Sequence, residues 1–133
     1  MAFEHNKDAE RREQIIFGES YDTEKYRRGG IRHFDDLTAQ QLRQLIDEKF
    51  MDPEDCQNLS PNNLEFLEFM EAHGGYGAEG YAISRERNDY RINIEGIHKK
   101  GPIDAEERVE FAKTFYAADE MLAAPGELYC WFD

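Results

Sequence analysis

The apolar positions first fall into helical spacing at Leu42, Leu45, Ile46 and Phe50, with Lys49 on the same run. That recurrence marks a helix that buries one face. Thr38 and Gln41 stand ahead of it as a capping-box pair, and Leu37 and Leu42 are spaced to close as a hydrophobic staple. Asp52-Pro53 ends the run, because the residue before a proline is pushed out of the helical region. The pattern repeats one short connection later. Ser60 is placed to cap, Pro61 fills a first turn where its missing N–H costs nothing, and Leu59 and Leu64 make a second staple. Leu64, Phe66, Leu67, Phe69 and Met70 supply this helix's apolar surface, and Gly74-Gly75 stops it.

The period then changes from 3.6 to 2. Tyr81 and Ile83 rise, Asn88-Asp89 turns, and Tyr90, Ile92 and Ile94 return in alternation with Arg91, Asn93 and Glu95. This is a hairpin half-buried on one side. Gly96 interrupts the alternation and marks a bulge, and Lys99-Lys100-Gly101-Pro102 reads as a connection. Asp104 with Glu107 opens a further helix whose apolar face runs from Val109 through Phe111, Phe115 and Tyr116 to Leu122, stopped by Ala124-Pro125-Gly126. Leu128 to Phe132 is apolar on both faces, as suits a third strand that is covered on both sides or pinned against the hairpin. Before all this, residues 6–17 suit a helix capped by Asn6 and stopped by Gly18, and residues 18–33 are weakly periodic. The expected fold is α+β, with about four helices packed on a small antiparallel sheet of about three strands. It forms one domain over 1–133, with a less regular N-terminal arm at about 1–33.

Composition narrows the function classes. With 40% hydrophobic and 13% aromatic residues the chain can bury a core, which excludes general disorder. No apolar run approaches the roughly 20 residues of a membrane span, and residues 1–12 are too charged for a signal peptide. Cys56 and Cys130 have neither metal-like nor redox-like spacing, so both are expected as reduced thiols in a cytoplasmic protein. The net charge is -13 and unevenly placed. Residues 35–71 hold ten acids against Arg43 and Lys49, and residues 104–133 hold eight against Arg108 and Lys113. Residues 1–33 balance, and residues 72–103 carry one excess base. Direct binding to nucleic acid or to an anionic membrane is disfavoured by this balance.

Four candidate chemistries can be weighed on spacing. The loop from Asp52 to Asn63 fails as a calcium loop, with Cys56, Gln57 and Asn63 at positions that need an oxygen ligand, a glycine and a glutamate. His5, His33, His73 and His98 show no ligand spacing, so neither metal nor cofactor is expected. Gly74 to Gly80 has the glycine density of a phosphate loop but follows a helix instead of preceding one, which suits a C-cap and a turn. The basic-aromatic segment from Tyr21 to His33 is expected to lie across the chain's own acidic helices. No catalytic residue emerges.

The sharpest feature is the acidic outer face of the first two well-capped helices, carrying Asp47, Glu48, Glu65, Glu68 and Glu71. Such carboxylate rows suit a non-enzymatic protein that engages a basic partner, as an inhibitor or nucleic-acid mimic of a DNA- or RNA-handling protein. In size and charge the chain is similar to small acidic inhibitors of phages and mobile elements, which implies a bacterial or phage source; the likeness is one of type and carries over no residue. An alternative is a ligand-binding domain or enzyme with a pocket near the Gly74–Gly80 corner, using His73, Tyr76, Tyr81, Arg85 and Arg91. A third is a structural homo-oligomer built through the exposed side of the Leu128–Phe132 strand.

Overall fold

A computed structural model describes residues 2–133, without the side chain of Arg28; Met1 and that arginine's place in the basic segment lie outside the described residues. Four helices of nine residues or more, α1 (Ala9–Phe17), α2 (Ala39–Asp47), α3 (Asn63–His73) and α4 (Ala105–Thr114), accompany a five-stranded antiparallel sheet among those residues, with a 3-10 turn at Thr23–Lys25 and a single helical turn at Arg27–Gly30. The strands are β1 (Ile31–Thr38), β2 (Gly77–Ile83), β3 (Ile92–Lys100), β4 (Glu120–Ala124) and β5 (Glu127–Trp131), in the spatial order β1-β2-β3-β5-β4. The α+β class is as expected. The sheet has two strands more than expected.

The capping box of α2 forms as its residues dictate, with Thr38 Oγ1 accepting from the Gln41 amide at 3.1 Å and Gln41 Oε1 from the Thr38 amide at 2.8 Å. The helix stops at Asp47, short of Phe50, because the Leu45 carbonyl accepts from both the Phe50 and Met51 amides. Lys49 takes a left-handed φ of 68°, and the chain folds back to bury Phe50 and Met51. The cap of α3 is Asn62, not Ser60. Asn62 and Glu65 exchange bonds of 2.8 and 2.9 Å, an N-cap and its N3 partner as reciprocal as the Thr38 pair. Ser60 Oγ instead accepts from the Gln57 amide, and Leu59, 79% exposed, staples nothing. In α1 the cap is Asp8, not Asn6, whose side chain donates to the Glu48 carbonyl and ties the arm to the end of α2. Gly18 ends α1 in the left-handed region, as expected.

The hairpin is β2 with β3, and Lys99 and Lys100 extend β3 instead of forming a connection. The bulge sits where Gly96 announced it: Gly80 faces Ile94 and Glu79 faces Gly96, which leaves Glu95 without an opposite. The helix after Asp104 ends at Thr114, seven residues before the apolar run Met121-Leu122, which belongs to β4. The Phe115 carbonyl turns the chain by accepting from the Ala118 amide, and the Asp119 amide opens the new pairing by donating to the Trp131 carbonyl. β5 pairs with β3, pinned as expected. Its other side is taken by β4, so the side of this strand expected to build a homo-oligomer is not open for pairing.

All four helices pack on one face. Ile15, Leu42, Leu45, Phe66, Leu67, Phe111 and Phe115 share a buried cluster with Ala78, Ala82, Ile94, Ile97, Leu128 and Cys130 of the strands. Phe115 holds its centre, with ring centroids 5.0 Å from Phe69, 5.6 Å from Phe66 and 4.8 Å from Phe111. Among the described residues no helix is long and apolar enough to cross a membrane.

Candidate functional site

The predicted acidic helix residues do come together, but most meet cations of the chain itself. α2 and α3 pack side by side, and Asp47, Glu48 and Glu71 gather with Arg43 around a shallow groove of about 590 Å³. Glu71 takes a forked pair of bonds from Arg43 at 2.6 and 2.7 Å, and Asp47 lies 3.8 Å from the same guanidinium. Glu48 receives a second fork from Arg11 at 2.9 and 2.8 Å. These hydrogen bonds hold the Glu48 and Glu71 carboxyls below the usual range. Glu65 is occupied as a helix cap. Glu68 is exposed and makes no ion pair among the described residues.

The basic segment pairs internally, though not with the acidic helices. Arg32 binds Glu13 at 2.8 Å and Glu19 at 2.9 Å, Lys25 binds Glu19 at 2.7 Å, and Arg27 donates to the Glu24 carbonyl. The partners of Arg32 and Lys25 come from α1 and the turn after it, which the Arg32 side chain reaches from β1.

The proposed ligand set is split by the sheet. Tyr76 is buried on the helix side, edge-on to Phe69, with its hydroxyl donating to Glu107 Oε2 at 2.6 Å. Burial first, then that carboxylate, pushes its hydroxyl well above the usual tyrosine range. His73 is on the same side, 3.0 Å from Glu110. Arg85 lies at the hairpin tip, its guanidinium 4.4 Å from the Tyr21 ring centroid. Tyr81 and Arg91 alone come together, with Asn93 and residues 55–58, in a cleft of about 460 Å³. Gly74 and Gly75 have left-handed φ of 71° and 82°, which suits the turn role.

The surface that sequence reasoning missed is the face of the sheet turned away from the helices. Register places its residues in rungs: His33 beside Tyr81 and Asn93; Glu79, Gly96, Trp131 and Glu120; His98, Tyr129 and Leu122; Lys100, Glu127 and Ala124. The bulge adds Glu95, whose carboxyl is pushed above the ordinary range by burial first, with Glu79 and Asp133 adding to the effect and His33 opposing it. Tyr129 is pushed up to about 12 by burial and the nearby carboxylates of Glu79 and Glu120. Glu79 Oε1 is buried and has no hydrogen-bond partner. Trp131, Tyr129 and Tyr81 are half-buried, and Leu122 is 44% exposed. The signal available in sequence was the polar half of the alternation in Tyr81 to Ile83 and Ile92 to Ile94; the C-terminal strand, apolar throughout, gave none.

Among the described residues no group of three or more His, Cys, Asp or Glu is arranged to hold a metal ion. Cys56 is exposed, whereas Cys130 is buried and its thiol pushed up to about 12 by burial. Comparison with protein-family models, curated proteins and solved structures found no match to this chain.

Proposed function

We propose that this is a non-enzymatic acidic binding protein that engages a basic protein and competes with nucleic acid for it, in the reducing cytoplasmic setting where free Cys56 and Cys130 persist. The observation that carries the reading is how the cations are used. Arg11, Arg32, Arg43, Arg87 and Lys99 each close on a carboxylate of this chain at 2.6 to 2.8 Å. Glu68, Glu79, Glu106, Glu120 and Glu127 make no ion pair among the described residues. These five cations are spent on the chain's own carboxylates, and a chain carrying -13 keeps a negative excess at its surface. Such a field steers a basic partner and repels nucleic acid and anionic lipid.

The test is a pull-down from lysate at low and high salt with the captured proteins identified. A basic nucleic-acid-handling protein held at low salt, released at high salt, and losing its nucleic acid when this protein is added is the expected result. Capture that is indifferent to salt, or of proteins without a basic surface, overturns it. A second reading, a small-ligand site, is favoured by the cleft that Tyr81 and Arg91 share. It predicts that a member of a metabolite panel raises the melting temperature, since a ligand that binds only the folded state stabilises it.

A further inference from the structure

We propose that the helix-free face of the sheet, centred on Glu79, Glu95, Tyr129 and Trp131, is where the basic partner docks, and that its occupant is an arginine-bearing segment of that protein. The inference rests on the reading above and moves the contact from the helices to the sheet.

Three observations carry it. The first is charge. Glu79, Glu95, Glu120 and Glu127 lie on this face; Lys100 stands two rungs from Glu79, and Arg91, at the far end beside Tyr81 and Asn93, lies 3.5 Å from Asp89. The second is the Glu79 carboxylate, one oxygen of which is buried without a donor. Buried acceptors in folded proteins nearly always have a partner, and here the chain offers little beyond the neighbouring Tyr129 hydroxyl, which leaves the half-buried carboxylate open to a stronger donor. The third is the pairing of that carboxylate with aromatic faces. The chain shows the recipe on itself: Arg32 lies 3.6 Å from the Phe17 ring centroid while Glu13 and Glu19 accept from its nitrogens at 2.8 and 2.9 Å. Rings beside carboxylates recur on the sheet face as Tyr129 and Trp131 beside Glu79 and Glu95. A guanidinium suits this better than an ammonium, because it stacks on a ring while its edge forks to a carboxylate. The acidic helices are the poorer site, since a partner's cation there must displace Arg43 from Glu71 or Arg11 from Glu48.

Trp131 is the protein's one tryptophan, so its emission reports directly on this face. The probes are tryptophan-free acetyl-hexa-arginine amide and acetyl-hexa-lysine amide, titrated at low salt by fluorescence and by calorimetry. The expected result is a saturable change in Trp131 emission, with hexa-arginine bound more tightly than hexa-lysine. Glu79→Gln with Glu95→Gln is expected to weaken hexa-arginine by about tenfold. Glu68→Gln with Glu106→Gln removes the same charge elsewhere, and about twofold or less is expected there. Melting curves verify that both double variants are folded. Calorimetric binding with unchanged Trp131 emission, equal weakening in the two double variants, or equal affinity for the two peptides overturns this proposal and leaves the basic-partner reading standing. Binding of neither peptide overturns both.

Discussion

The end of the sheet is held to α1 by a buried charge network whose removal has a calculable cost. Arg12 and Glu13 are both fully buried. Glu13 Oε1 accepts from the Tyr26 hydroxyl, and Oε2 accepts from Arg32 Nη1 at 2.8 Å. Arg12 Nη2 donates to the Tyr26 hydroxyl at 3.1 Å and to the Ile83 carbonyl at 2.9 Å, and its guanidinium lies 4.4 Å from the Tyr90 ring centroid. Arg32 therefore binds the carboxylate directly, and Arg12 is linked to it through the Tyr26 hydroxyl. Glu13→Gln keeps the shape and removes the negative charge that Arg32 binds and that Arg12 meets only through the Tyr26 hydroxyl. Breaking a buried pair from one side costs roughly 3–5 kcal/mol. Arg32 retains 18% side-chain exposure, so water relieves part of its isolation and the lower end, about 3 kcal/mol, applies. At about 2.1 cal/mol/K per residue the unfolding entropy of 133 residues is about 280 cal/mol/K, and that loss becomes a fall of roughly 11 °C in melting temperature.

The assay is urea denaturation at neutral pH, followed by Trp131 fluorescence and far-ultraviolet circular dichroism. Tyr26→Phe supplies the internal check. It removes one neutral hydroxyl that donates to Glu13 and accepts from Arg12, so a smaller loss of about 1–2 kcal/mol is expected. Glu13→Gln costing under about 1 kcal/mol at unchanged denaturant slope, or less than Tyr26→Phe, would refute the reasoning.

Two further outcomes follow from the sheet. The Glu95 carboxyl has a folded value above its unfolded one, so its contribution is full below the unfolded value and is lost as pH rises through the folded value. Glu95→Gln should therefore raise the melting temperature at pH about 7 and lose that gain near pH about 4, and an equal gain at both would show that ionisation is not the cause. In thiol titration with an aromatic disulfide reagent, Cys56 should react promptly in the folded protein and Cys130 only after denaturant is added, since the latter is buried with its thiol pushed up to about 12. Two fast thiols in the native state would refute the placement of β5.

What sequence patterning revealed and what it hid have the same physical source. The caps at Thr38, Asn62 and Asp104 are local devices, and even where the capping residue was misassigned the helix was found. β1 was hidden because its alternation is broken twice. Its pairing with β2 shifts register between Phe34 and Leu37, where Asp35 and Asp36 intrude, and its helix-side position opposite Ala82 is Arg32, a charge satisfied by Glu13 of α1 and Glu19 just after it. β4 was hidden because its apolar residues continue a helical run. The run reads as one face, yet Tyr116 is 81% exposed, and only the pairing of Asp119 with Trp131 separates helix from strand.

The sheet face was the least legible part, because its chemistry is assembled by register. Glu79, Glu95 and Trp131 are far apart in the chain and share a surface only through the order β2-β3-β5. Two glycines fix that register. A Cβ on Gly80 would overlap the Asn93 carbonyl, and one on Gly96 would overlap the Cys130 carbonyl, so each neighbouring strand can approach only where a side chain is absent. Gly96 also leaves open the ground between Glu79 and Trp131, which face it from the two flanking strands. The bulge beside it leaves Glu95 unopposed and turns its carboxylate toward Glu79. Two like charges are held near each other in partial burial, an arrangement that disfavours the isolated protein and favours any cation brought to it. The absence of side chains at Gly80 and Gly96 thus gives the sheet its acidic face, and the repulsion stored there is the reason that face suits an arginine of another protein.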